Sequence, residues 1–191
     1  MTRDFLTVSD LSREELFGIL DRAAELKRLR GTSKHPKPLS DKSIAVVLEK
    51  ASTRTRLSFE VGIHELGAQP VTLMSKDTQL GRGEPIEDTA RMLSRYVHCA
   101  VYRTFGHDRV EALAEHATIP IVNGLSDQFH PVQLLADMMT IRESLGPDLT
   151  NVRVAWVGDG NNMAHSWIVS AAVAGFELVL ACPEGYRPDE Q

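Results

Sequence analysis

Three short stretches of this 191-residue sequence combine residue types that could grip an anionic, carbonyl-bearing small molecule. The first is Glu49-Lys50-Ala51-Ser52-Thr53-Arg54-Thr55-Arg56. It falls between a β-branched run, Ile44–Leu48, and a segment whose spacing predicts a helix from Thr53 to Leu66, stopped by Gly67. At a helix N-terminus the first N–H groups lack partners and the dipole is positive, so an oxyanion is stabilised there. Hydroxyl-bearing Ser52, Thr53 and Thr55 and the Arg54 guanidinium add donors of the kind a phosphate needs. A Ser/Thr helix cap with solvated arginines would read the same way.

The second stretch, Ala100-Val101-Tyr102-Arg103-Thr104, puts an arginine at the carboxyl end of another expected strand. Ligands of open α/β sheets gather beyond those ends. The third, Asp127-Gln128-Phe129-His130-Pro131-Val132-Gln133, follows an apolar run and opens a helix with Pro131 in its first turn. His130 and Gln133 offer an imidazole and a carboxamide, able to hold a carbonyl oxygen and an amide NH2. Alone, Arg103 would be an arginine reaching water and His130 a cap. Together, three such elements after three strands of one sheet favour a shared site. A fourth stretch, Trp156-Val157-Gly158-Asp159-Gly160-Asn161-Asn162-Met163, lacks the third glycine of a dinucleotide fingerprint. Its Asn pair suits polar contacts to a small zwitterion. No metal-ligand spacing, CxxC pair or nucleophile elbow occurs, so neither a metal nor a covalent intermediate is expected.

Positioning these residues requires alternating elements. Ser12-Arg13-Glu14-Glu15 is a capping-box pattern, with Leu16, Ile19, Leu20, Ala23 and Leu26 at helical spacing behind it. Residues 31–40 read as a loop. Further strands are expected at Ile44–Leu48, Val71–Met74, Ala100–Thr104 and Ile119–Val122, and helices at Ile86–Val97, Asp108–His116 and Val132–Glu143. This alternation predicts an α/β fold, a parallel sheet with helices on both faces. Gly146-Pro147-Asp148 marks a boundary between residues 1–148 and 149–191. Beyond it come one strand (Val152–Val157), one helix (Asn162–Ala174) and one strand (Leu178–Ala181), which read as the truncated start of a second α/β domain. A single such unit is expected to leave Trp156, Trp167, Ile168 and Phe176 short of partners, making the segment mobile and prone to associate.

Composition narrows the function classes. With 42% hydrophobic and 25% charged residues the chain is an ordinary soluble globular type. A net charge of −5, without blocks of like charge, supplies no footprint for nucleic acid. No apolar run is long enough to span a bilayer, and the N-terminus has no apolar signal core. Cys99 and Cys182 sit in apolar, strand-like stretches and are expected to be buried thiols in a reducing, cytoplasmic compartment, or a mitochondrial matrix after loss of a transit peptide.

Lys50 to Glu60 (KASTRTRLSFE) resembles the signature shared by aspartate and ornithine carbamoyltransferases, and His130-Pro131-Val132-Gln133 with Leu135-Ala136-Asp137 resembles their second signature. Gly158-Asp159-Gly160-Asn161-Asn162-Met163 with Ser166, and Gln79-Leu80-Gly81-Arg82-Gly83-Glu84, are similar to the ornithine branch. His98 and Val132 depart from the family's usual residues without removing a donor. The resemblance implies transfer of a carbamoyl group from carbamoyl phosphate to the side-chain amine of ornithine, without a cofactor. Residues 1–148 would be the carbamoyl-phosphate-binding domain and 149–191 the start of the ornithine-binding domain. By the same resemblance Ser52, Thr53, Arg54 and Thr55 would hold the phosphate, and Arg103 would bridge phosphate and carbonyl oxygen. His130 would bond that oxygen, Gln133 the amide nitrogen, and Asn162 the ornithine. Gln79 would serve a neighbouring subunit of a homotrimer or a multiple of trimers. Another acceptor (aspartate, putrescine, acetylornithine) and a non-catalytic carbamoyl-phosphate-binding half-protein are the alternatives. The family's Cys-Leu-Pro segment and Ser-Met-Gly loop do not occur in these residues, so the chain alone is expected to bind carbamoyl phosphate without forming citrulline.

Overall fold

The computed structural model describes residues 3–189, so Met1 and Gln191, the outermost residues of the two expected units, lie outside the described residues. Helix α1 (Arg13–Leu29) begins at the expected capping box. Ser12 Oγ accepts the Glu15 N–H at 3.2 Å and the Glu15 carboxylate accepts the Ser12 N–H at 2.8 Å. Two donors that the first turn leaves unpaired are thereby satisfied.

Four strands form the first sheet: β1 (Ser43–Leu48), β2 (Gln69–Met74), β3 (Cys99–Arg103) and β4 (Ile121–Leu125), in the order β2-β1-β3-β4. Every pairing is parallel. The connections are helices α2 (Thr53–Glu65), α3 (Ile86–Tyr96) and α4 (His107–His116), with α5 (Pro131–Leu145) following β4. The β-branched run of β1 serves two cores at once. Ala45 and Val47 pack with Ala90 and Leu93 of α3 and Val110 and Leu113 of α4. Ile44, Val46 and Leu48 pack with Ile63 of α2. Alternation along a strand sends these sets to opposite faces, and helices cover both, as the pattern predicts.

Strands β1, β3, β5 (Arg153–Val157) and β6 (Glu177–Ala181) fall within one residue of expectation and β2 starts two residues early, at Gln69, but β4 is displaced at both ends. β4 starts two residues later than Ile119 and runs on to Leu125, through polar Asn123 and Gly124. Tertiary pairing explains it. The Phe5 main chain brackets this segment, with its N–H bonding Ile121 O and its carbonyl taking the Asn123 N–H, both at 2.8 Å. Leu125 O accepts the Thr104 N–H at 3.0 Å. Asn123 is fully buried and donates to Leu6 O at 2.9 Å, so a residue that locally favours a loop is stable inside the sheet.

The second sheet pairs β5 with β6 in parallel through helix α6 (Asn162–Ala174). The expectation that its large apolar residues lack partners is corrected for two of them. Trp167 and Phe176 are buried, their rings edge-on at 5.8 Å. They share a core with Leu16 and Leu20 of α1 and Leu134 and Met138 of α5. Packing of α6 on the first unit is a long-range fact that local pattern cannot carry. Ile168 is exposed and Trp156 half-buried, its indole N–H donating to Asp159 O at 2.9 Å. Both cysteines are free and half-buried. Cys99 lies in β3, where burial pushes its thiol up to about 11, whereas Cys182 falls just beyond β6.

Candidate active site

Because β1, β3 and β4 are neighbours and all parallel, their carboxyl ends open on the same edge of the sheet. There they bound a cleft of about 590 Å3 whose lining includes Ser52, Arg54, Thr55, Arg103, His130 and Gln133. Each side chain arrives by a separate local device. Ser52 is the N-cap of α2, its Oγ accepting the Thr55 N–H at 3.3 Å and donating to Thr55 Oγ1 at 3.0 Å. Thr55 Oγ1 also accepts from Arg103 Nη1 at 3.0 Å. Thr55 thus joins the helix terminus to the strand end and keeps its own hydroxyl proton for the cleft. Arg103 occupies the last position of β3, where the pairing with β4 slips so that Tyr102 faces Asn123 and Arg103 faces Leu125.

His130 is the N-cap of α5, with Pro131 at the first helical position. Gln133 stands one turn on, and its Nε2 donates to Asp137 Oδ1 at 2.9 Å, which orients the carboxamide. Burial, reinforced by the charge of Arg103, holds the His130 imidazole at about 4, so it is neutral at pH 7. Burial also lowers Arg103 from its usual value, though a guanidinium stays charged at neutral pH. His130 Nδ1 and Arg103 Nε are buried and meet no hydrogen-bond partner among the described residues. Tyr102 Oη, Asn123 Oδ1, His165 Nδ1 and Ser170 Oγ share this state.

Residues outside the expected set brace the segments that carry Arg103 and His130 without lining the cleft. Glu49 accepts from Arg109 Nη2 at 2.6 Å and from the Thr104 hydroxyl, and its N–H bonds Arg103 O at 2.9 Å. Burial works to raise the Glu49 carboxyl, but the hydrogen bonds from Arg109 and Thr104 outweigh it and keep the group anionic. Lys50 pairs with Asp127 and lies 4.5 Å from the centre of the Phe105 ring. Ser126 bonds His107 Nδ1 at 2.9 Å and the Phe129 N–H at 3.1 Å, bracing the turn that carries His130. Glu49 and Arg109 are 60 positions apart, and no local pattern links them.

Three expected residues lie off the cleft. Thr53 is exposed and lines a neighbouring groove with Arg56, Glu60 and Met74. Gln79 borders a separate, mainly apolar cavity of about 580 Å3, with Leu73, Tyr96 and Val97. Asn162 is half-buried and donates to Ser126 O at 3.0 Å. Among the described residues no group of three or more His, Cys, Asp or Glu side chains is arranged to hold a metal ion. Nor is any helix there long and apolar enough to cross a membrane.

Comparison with known proteins identifies the family. Residues 3–143 match the sequence model of the aspartate/ornithine carbamoyltransferase carbamoyl-P binding domain, and residues 150–191 match that of the Asp/Orn binding domain. The ornithine carbamoyltransferase of Halorhodospira halophila is 52% identical over 187 residues, which are 98% of this chain and 62% of that protein. That of Acidothermus cellulolyticus is 57% identical over 189 residues, 98% of this chain and 59% of its own length. The crystal structure of ornithine carbamoyltransferase from Burkholderia thailandensis superposes with a TM-score of 0.93 at 45% identity, covering 98% of this chain and 64% of that one. The chain therefore spans about six-tenths of the length of the relatives it matches. With the family's sequence model matched across most of its residues and relatives about half identical along nearly all of it, the chain belongs to the aspartate/ornithine carbamoyltransferase family.

Proposed function

We propose that the cleft binds carbamoyl phosphate and that the protein transfers its carbamoyl group to the side-chain amine of L-ornithine, giving citrulline and phosphate. The observation that carries this reading is the Arg103–Thr55 hydrogen bond, 3.0 Å long, at the junction of three strand ends, in a cleft also lined by Ser52, Arg54, His130 and Gln133. The phosphate fits the N-terminus of α2, held by Ser52, Arg54, Thr55, the main-chain N–H of Thr53, and Arg103. Arg103 and neutral His130 meet the carbonyl oxygen, and Gln133 accepts from the amide nitrogen. The amine lone pair forms a bond to the carbonyl carbon, and the resulting oxyanion is stabilised by donors already aimed at it. When the oxyanion collapses, the carbon–oxygen bond to phosphate breaks. Phosphate departs with that electron pair and takes up a proton from the nitrogen.

Ornithine as acceptor is supported by the names of the relatives and by the Asn161-Asn162 pair at the start of α6. We read residues 1–148 as the carbamoyl-phosphate-binding domain and 149–191 as the start of the ornithine-binding domain. Gln79 is read as serving the site of a neighbouring subunit, a role that suits its distance from the cleft of its own chain and implies a homotrimer or a multiple of trimers. An arginine-biosynthesis or urea-cycle type step in the cytoplasm, or the matrix of a mitochondrion, follows from the same reading. Isothermal titration of the chain with carbamoyl phosphate tests the site, one ligand per chain being expected; absence of binding removes the proposal. Assay of the whole protein against ornithine, aspartate, putrescine and acetylornithine tests the acceptor. Faster carbamoylation of any amine other than ornithine moves the reading to that branch.

A further inference from the structure

The main-chain N–H of His130 has an unusual partner. At the N-cap of a helix this group is commonly accepted by the side chain of the third helical residue, in a capping box. In α5 that third residue is Gln133, whose type and position suit the task. The structure uses another acceptor. The His130 N–H bonds Ser166 Oγ, 36 positions away on α6, at 2.8 Å. Ser166 is 2% exposed, and its hydroxyl proton is donated to Asn162 O at 2.6 Å. Gln133 turns instead to the cleft, its Nε2 anchored on Asp137. One oxygen, Gln133 Oε1, thus has two possible employments: closing the cap of its own helix, or accepting from an amide in the cleft.

We infer that Ser166 is a positioning residue for carbamoyl recognition: by accepting the His130 N–H it releases Gln133 Oε1 from the helix cap and leaves it to the ligand's amide nitrogen. The same hydroxyl ties the main chain of His130 to that of Asn162. A serine bonding the carbonyl four residues back is ordinary within a helix. The second bond, reaching from α6 to the cap of α5, is what gives Ser166 this role.

The inference rests on the proposed carbamoyl-phosphate site, and two ligands separate the fate of one from the other. Inorganic phosphate needs Ser52, Arg54, Thr55 and Arg103, whereas carbamoyl phosphate needs His130 and Gln133 as well. In isothermal titrations of the chain, Ser166→Ala is expected to bind carbamoyl phosphate roughly five- to tenfold more weakly, the scale of one hydrogen bond, with phosphate affinity unchanged. Because the loss runs through Gln133, the double variant Ser166→Ala/Gln133→Ala should bind no more weakly than Gln133→Ala, a non-additivity that simple loosening of the fold would not produce. If Ser166→Ala does not fold, Ser166→Thr, which keeps the hydroxyl acceptor, should bind both ligands like the parent. Ser166→Cys, a slightly larger and poorer acceptor, should weaken binding of carbamoyl phosphate alone, with the same non-additivity. In the Ala or Cys variant, parent-like affinity for both ligands, parallel loss of both, or additive losses with Gln133→Ala would each overturn the assignment to Ser166 alone. A parent chain that binds phosphate but not carbamoyl phosphate would remove the site reading and this inference with it.

Discussion

Arg103 is the residue on which the proposed chemistry converges, because its guanidinium touches Thr55 and its charge reaches His130. A charge-assisted hydrogen bond contributes roughly 1.5–3 kcal/mol, so Arg103→Ala should weaken carbamoyl phosphate binding about tenfold or more. Thermal stability should change little, since the removed head group lines an open cleft. Calorimetric titration beside a melting curve reads both. His130 carries a second, pH-dependent expectation. Its folded-state value of about 4 lies below the ordinary histidine value of about 6.5. Between these values the unfolded chain binds a proton that the folded chain refuses, so stability is full above about pH 6.5 and falls as pH drops toward 4. Replacing His130 with Gln should flatten that part of the stability–pH curve relative to the parent; an unchanged slope would show that His130 is hydrated. Ser52, Arg54, Arg103, His130 and Gln133 were legible in the sequence because each stands where a strand ends or a helix begins. Glu49, Arg109, Ser126 and Ser166 were not, because what they do depends on partners far along the chain.

At the scale of elements, helix starts were the most legible feature, since capping is chemistry between residues three apart. The Ser12–Glu15 capping box is the plainest case. Ser12→Ala should lower stability by about 1 kcal/mol. Denaturant unfolding would measure it, and carbamoyl phosphate affinity should stay at the parent value because α1 does not line the cleft. β1 was equally plain, as five consecutive apolar residues buried on both faces leave little choice of structure. The limits of β4 were not, because Asn123 and Gly124 belong to the sheet only through the Phe5 main chain and the Thr104 N–H. That misplaced boundary lies beside the cleft, where the slipped pairing of β3 and β4 carries Arg103.

At the scale of the molecule, the two sheets share a core that local periodicity does not reveal. Trp167 of α6 belongs to one core with Leu16 and Leu20 of α1 and Leu134 and Met138 of α5, so the second unit is packed on the first. Trp167→Ala should cost about 3–5 kcal/mol and depress the melting temperature of the whole chain, whereas a loosely attached second unit would lose its own structure alone. Hydrogen exchange of the β1 and β3 amides separates these outcomes. Val157 and Val179 are exposed on the opposite face of the β5–β6 pair, and of the four apolar residues expected to lack partners only Ile168 is exposed.

The most direct test of the central claim is an NMR titration of the isotope-labelled chain with carbamoyl phosphate. We expect one saturable set of shifts covering the main-chain amides of Thr53 to Arg56, Arg103 Nε, the His130 ring and the Gln133 carboxamide, with residues around Tyr96 unmoved. Absence of saturable shifts, or shifts centred on the cavity between Gln79 and Tyr96, would contradict the assignment of the three strand ends to one carbamoyl phosphate site.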